Sequence, residues 1–362
     1  MADATITKKS SGRNYEIDFL KLIFAVFVFI NHTTVFIKEN TRINPLFCSY
    51  LGWIGVWFFF VVSGFLMVES LSKKDLTADT AGKSSLKFVV SKFGGIAVPY
   101  LIAEYLFVVI YRMIILKENV FLVILKTIPD DLAITSSGIT IRCNGPIWYI
   151  SAMLIAMLPL CYLLIKKRDF FLYVFSPLCS VMILGFMYMQ DNPLIDINTR
   201  FGFISGAILR AVAGLCSGVV AWLIYKKITD DEKHLIYTAI EFIGWITFII
   251  SAFLQLKRDN QLLFVTMIYM PALIAVSFSG KSLISKLFAF SWMKYFGKLS
   301  LLIYLNHFLA QQITFKWFSQ YSYKICVLIM LGFTVLLASI AWGLEFAVKG
   351  LAKRCKNIFE KR

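Results

Sequence analysis

Stretches of about twenty predominantly apolar residues follow one another along almost the whole of this chain, the length a helix needs to cross the hydrocarbon core of a bilayer. They fall near residues 17–37, 50–70, 94–116, 146–165, 169–189, 203–225, 235–255, 261–279, 299–315 and 325–348, which predicts about ten spanning helices. The longest connections are 71–93 and 117–145, so no soluble catalytic domain stands apart and any chemistry sits in the bundle or its loops. Hydrophobic residues make up 59% of the 362, and the mean hydropathy is +0.74, values that exclude an ordinary soluble domain. The expected fold is an all-α polytopic transmembrane bundle forming one domain over 1–362, with a polar tail 1–16 and a basic tail 349–362. Phe121 to Ile128 is too short to span and reads as an interfacial or re-entrant piece.

The net charge is +16, but its distribution speaks for topology and against nucleic acid. With the amino terminus inside, the tails and alternate loops hold the larger share of Lys and Arg, including Lys166, Lys167, Arg168 and the run from Lys349 to Arg362. The positive-inside rule then predicts cytoplasmic termini for a multi-pass membrane protein in contact with lipid. Trp53, Trp57, Trp148, Tyr149, Trp317 and Tyr321 fall near predicted helix ends, where aromatic belts sit. Seven cysteines include no C-x-x-C pair; Cys48 and Cys143 both lie in outward connections, where a bridge between them is one option. The amino-terminal segment has no small-residue cleavage site, so the first helix is expected to be retained.

Ionisable side chains at membrane depth are costly and mark polar pathways or sites. On an ideal helix, the eleven steps from Lys21 to His32 make three turns with about 20° of drift, and Asp18 lies within about 40° of His32. Asp18, Lys21 and His32 therefore share a stripe that should face the bundle, with Asp18 close enough to pair with Lys21. His32 reads equally as a general base and as an interhelical hydrogen-bonding group; Asp18 and Lys21 alone are compatible with simple interface marking.

Ser63 and Gly64 interrupt an aromatic wall in the second helix, a pattern that serves helix packing and also offers a hydroxyl to a ligand. Asn306 and His307 stand together in the ninth predicted span, where His307 either contacts a ligand or bonds a neighbouring helix. Glu104, Arg210, Glu241 and Glu345 are further ionisable residues in or near spans; Arg210 with Glu241 or with Glu104 is a candidate buried pair. Three histidines are too few for a His-rich metal site, and no glycine-rich phosphate loop is present, so neither a metal nor a permanently bound cofactor is expected.

Taken in order, these segments resemble the acyltransferase 3 family of bacterial integral-membrane acyltransferases. RNYEIDFLKLIFAVFVFINHT is similar to its first-helix pattern through Asp18, Lys21 and His32, and VWFFFVVSGFLM to its second through Ser63, Gly64 and Phe65. GPIWYISAMLI resembles its tryptophan-led helix with Trp148 and Tyr149, and FGKLSLLIYLNHF its late element with Ser300, Tyr304 and His307. Lys21 stands where the family usually has arginine; Lys92 and Ile96 stand where it usually has two arginines before the residue matching Pro99.

The resemblance implies an O-acyltransferase that moves an acyl group, most often acetyl, from cytoplasmic acyl-coenzyme A to a sugar hydroxyl of a cell-envelope glycan. His32 would be the catalytic base or, alternatively, a nucleophile; Asp18, Lys21, Ser63, Lys92, Trp148 and His307 would bind donor or substrate. Acetyl-coenzyme A is then a co-substrate, and a homodimer is possible. Lys73, Lys74, Lys83, Lys87, Lys92 and the lysines from Lys281 to Lys298 would attract a polyanionic donor, or serve topology alone. Measured from Ile17, His32 lies ~22 Å along its helix, beyond the midplane. The competing reading is a transporter or flippase in which His32, His307 and Glu104 relay protons.

Overall fold

The computed structural model describes residues 13–38, 45–137, 144–189, 197, 199–202, 204–228, 233–254, 260–288 and 290–359. Its helices are α1 (Tyr15–His32), α2 (Pro45–Ser72), α3 (Ala81–Phe107), α4 (Val120–Asp131) and α5 (Trp148–Lys166). Then come α6 (Arg168–Phe170), α7 (Ser176–Met189), α8 (Gly206–Lys227), α9 (His234–Leu254) and α10 (Asn260–Ser279), and finally α11 (Leu283–Lys286), α12 (Lys294–Phe318) and α13 (Tyr323–Phe359). π-helical turns extend α3 through Ile115 and join α6 to α7. Among the described residues, eight helical segments are long and apolar enough to cross a membrane. With α10 and α12 they make ten long helices, one for each run in the sequence; two-residue strands at Arg200–Phe201 and Ile204–Ser205 are a minor hairpin before α8.

Burial sorts these helices into an inside and an outside. The apolar windows of α2, α5 and α8 are 83%, 72% and 67% buried, against 33% for α9 and α13, so the first three form the centre and the others face lipid. The centre closes on small residues. A Cβ at Gly64 of α2 would run into the backbone of Leu215 of α8, and one at Gly218 of α8 would meet Val61, Phe65 and Gly64. Without a hydrophobic force between helices in lipid, such close backbone approach is what makes dispersion contacts strong enough to hold them. Phe65 stacks on Phe278 with centroids 3.8 Å apart, and Phe24 on Phe58 at 4.1 Å, which ties α10 and α1 to the same core.

Local signals explain several boundaries. Asn14 caps α1 by accepting from the Ile17 amide at 2.9 Å, and Ser205 caps α8 through Ile208. Asn119 caps α4, whose twelve residues are too few to span; Phe121 is 68% exposed on it while Val123 is buried, as suits a helix lying along an apolar boundary.

Four expectations need correction. The connection 71–93 is largely helical: α3 starts at Ala81, thirteen residues before the apolar run, because exposed Lys83 and Lys87 lower the hydropathy without interrupting the backbone hydrogen bonds. α13 likewise continues through the start of the basic tail to Phe359, with Lys349 paired to Glu345 one turn earlier at 2.6 Å. Among the belt aromatics, Trp317 and Tyr321 are about half exposed, but Trp57, Trp148 and Tyr149 are interior; the Trp57 indole donates to the Met267 carbonyl at 3.2 Å. Neither pairing considered for Arg210, with Glu104 or with Glu241, is found among the described residues. Its guanidinium sits 5.1 Å over the Trp148 ring, while Glu241 turns to Ser282. Cys143 lies outside the described residues, and with it any bridge to Cys48.

Candidate active site

Two adjoining hollows open beside α1. The outer one, about 710 Å³, begins at the first turn of α1 and is lined by Arg13, Asp18, Lys21, Glu69 and Lys73. The inner one, about 210 Å³, lies deeper and is lined by Lys21, Ser63, Lys92, Tyr149, Ser300 and Tyr304 among apolar side chains. Lys21 and Leu66 belong to both walls, so the hollows adjoin.

Asp18 anchors the outer wall. It accepts from Arg13 Nε at 2.5 Å and faces Lys21 Nζ at 3.5 Å, the pairing that the three-residue spacing requires. It is only 4% exposed, and Gly297 of α12 leaves the space its carboxylate fills, since a Cβ there would collide with Oδ1. Arg13 also donates to the Lys294 carbonyl at 2.6 Å, so α1 and α12 are clamped together beneath the hollow. Lys92, on α3, has no carboxylate partner among the described residues, and its ammonium group is near enough to that of Lys21 to feel its charge. Two amines converging on the inner hollow, whose described lining holds no carboxylate, make it attractive to an anion.

At the inner end the Tyr149 and Ser63 hydroxyls meet at 3.1 Å, and the Tyr304 hydroxyl donates to the Pro146 carbonyl at 2.8 Å. Behind Tyr304, one turn along α12, comes His307, with ring centroids 5.9 Å apart; His307 in turn lies 4.7 Å from His32. His307 is fully buried. Its Nδ1 is 3.2 Å from the Ile303 carbonyl, which assigns the proton to that nitrogen and leaves Nε2 a buried acceptor without a partner. Gln311, one further turn on, donates to the His32 carbonyl at 2.8 Å and fixes the end of α1 against α12. His32 is half-buried and packs edge-on against Phe308 at 5.6 Å.

The structure thus brings Asp18, Lys21, Ser63 and Lys92 around two adjoining hollows and sets His32 with His307 just beyond the inner wall. Trp148 is placed differently: it is off the wall, stacked under Arg210, and its neighbour Tyr149 faces the hollow. Glu104 is fully buried near Asp130, Asp131 and Arg112, and among the described residues no hydrogen bond joins it to either histidine. Arg13 and Gln311 carry no sequence signal. Arg13 precedes the helix, outside the three- and four-residue spacings that mark helical pairs, and Gln311 acts across 279 residues on a backbone carbonyl.

Fold and site together define a multi-pass membrane protein whose polar groups converge inside the bundle. Residues 14–344 match the family Acyl_transf_3, described as an acyltransferase domain, so the chain belongs to that family and is a membrane O-acyltransferase. No curated protein and no solved structure matches it.

Proposed function

We propose that this protein transfers an acyl group, acetyl in the simplest case, from acyl-coenzyme A to a hydroxyl of a cell-envelope or exported glycan in a bacterial cytoplasmic membrane. The observation that carries the reading is the convergence of Lys21 and Lys92 on a hollow whose inner wall leads through Tyr304 to the His307–His32 pair. Phosphates of the donor fit the outer hollow with Arg13 and Lys73, and the apolar inner hollow suits the arm that carries the thioester. An even number of crossings returns the carboxyl end to the side of the amino end, and the basic loops favour the cytoplasm for both. The acceptor then enters from the opposite face and meets the donor within the bundle.

In this mechanism neutral His32 takes the proton of the acceptor hydroxyl as its oxygen attacks the thioester carbonyl. The C–S bond of the tetrahedral intermediate breaks, and the departing thiolate takes the proton back from His32, giving an ester and free coenzyme A. Lys21 and Lys92 hold phosphate or the polarised oxygen as point charges, and Ser63 with Tyr149 offers a hydrogen bond. Lys lacks the bidentate fork of Arg, so donor binding through these residues is strongly salt-dependent.

The test is transfer of radiolabel from acetyl-coenzyme A to envelope glycan in membranes holding the protein. Lys21→Gln and Lys92→Gln are each expected to raise the donor KM about tenfold to a hundredfold, the value of a charge-assisted hydrogen bond, and to flatten the salt dependence. Unchanged KM and salt response in both would remove these amines from donor binding.

A further inference from the structure

The lysines from Lys281 to Lys298 line neither hollow. They belong to the stretch GKSLISKLFAFSWMKYFGK, residues 280–298, which leads from α10 into α12 with four lysines and no Asp or Glu. Its backbone is held firmly. Phe288 stacks on Phe19 of α1 with centroids 4.6 Å apart, Met293 is buried, and the Leu283 amide donates to Thr238 Oγ1 of α9 at 2.8 Å. Arg13 donates to the Lys294 carbonyl from the other side.

One face of this seated stretch stays uncovered. Leu287, Phe290, Trp292 and Tyr295 are each more than half exposed, and Trp292 meets Phe290 and Phe296 with centroids 6.4 and 5.1 Å apart, so the rings form a ledge. In water such a ledge would forfeit the gain of burial, but it lies where α10 and α12 end and α1 begins, the level at which aromatic rings sit between hydrocarbon and headgroups. The charge beside it has one sign. Lys286 and Lys294 are exposed and have no carboxylate partner among the described residues; Lys294 Nζ lies 5.1 Å over the Tyr295 ring. Lys298 Nζ lies 4.5 Å over Trp342 of α13 and spends its charge on Glu345 at 3.3 Å, so the uncompensated amines are those at the ledge.

We propose that the face formed by Lys286, Leu287, Trp292, Lys294 and Tyr295 docks on the membrane surface by binding the phosphate headgroups of anionic phospholipid. The rings enter the boundary between headgroups and acyl chains, and the two amines meet phosphate just outside it. The Lys294 carbonyl holds Arg13, and Arg13 holds Asp18, so lipid bound here steadies the outer hollow through backbone already in place. The inference does not depend on the identity of donor or acceptor.

Purified full-length protein, delipidated in a neutral detergent, is titrated with phosphatidylglycerol and in parallel with phosphatidylcholine, and its melting temperature is followed. A saturable rise with phosphatidylglycerol alone, diminished by salt, is expected. Lys286→Gln combined with Lys294→Gln should raise the half-saturating lipid about tenfold or more, at about fivefold for each lysine, with melting in lipid-free detergent unchanged. Lys167→Gln combined with Lys227→Gln removes the same charge from exposed ends of α5 and α8 and should leave the response as in wild type. Trp292→Ala should weaken it, and glycerophosphoglycerol, the headgroup without chains, should not stabilise at the same concentrations. Equal stabilisation by both lipids would overturn the site, as would equal loss in the two lysine pairs or equal stabilisation by the chain-free headgroup. A changed oligomeric state in Trp292→Ala with the lipid response intact would overturn it too, and make the ledge a contact between copies of this chain.

Discussion

Membranes holding His32→Ala at matched protein level are expected to lose about 10²- to 10⁴-fold in acyl transfer, the usual contribution of a positioned general base. The loss should fall on kcat, with little change in donor KM, because His32 lies beyond the hollow that Lys21 and Lys92 line. His307→Ala should lower kcat less. Its ring packs against His32 and is fully buried, whereas His32 is the less buried of the two and the one proposed to meet the acceptor. A chase with labelled donor and no acceptor separates base from nucleophile: label retained on denatured wild type and absent from His32→Ala would assign a covalent acyl-histidine. Equal transfer by wild type and His32→Ala would remove His32 from the chemistry.

The largest structural effect is expected at the crossing of α2 and α8. Gly64→Leu or Gly218→Leu places a side chain where the partner's backbone runs, and backbone cannot step aside as a side-chain tip can. The cost should exceed the about 1–3 kcal/mol typical of an extra methylene in a packed core, and monodisperse protein should be lost. Gly332→Ala in α13 is the control. A Cβ there meets nothing within 4 Å, so melting should be unchanged or rise slightly, since alanine restricts the unfolded chain. Comparable loss at Gly64 and Gly332 would show that helix propensity, and not the close crossing, sets the sensitivity. The same crossing sets the position of Ser63, one residue before Gly64, so milder variants such as Gly64→Ala should lower transfer before they unfold the protein.

Residues that share a helix were well placed from the sequence. Asp18, Lys21 and His32 line one stripe because a helix turns by a constant angle, and the Asp18–Lys21 pair at 3.5 Å follows from the same spacing. Ten apolar runs became ten long helices because each run satisfies its own backbone hydrogen bonds within itself, whatever its neighbours do. Where hydropathy and helicity part company the reading failed: α3 begins in lysine-rich sequence, which moved Lys92 from an expected connection onto the wall of the inner hollow.

Relations between helices were not legible. Which of the neighbours Trp148 and Tyr149 meets the hollow depends on how α5 is rotated against α2 and α8, and adjacent residues on a helix differ by about 100°. The joining of His32 to His307 and the hold of Gln311 on the end of α1 each bring together residues more than two hundred positions apart. The sequence by itself determined the class of fold, the succession of long apolar helices and the Asp18–Lys21 pairing on α1, because bilayer thickness and helical pitch act within a single segment. Only the tertiary structure decided which polar faces meet, since that choice rests on crossing geometry set by contacts such as Gly64 against Gly218, and many rotations of the same ten helices would satisfy hydropathy equally.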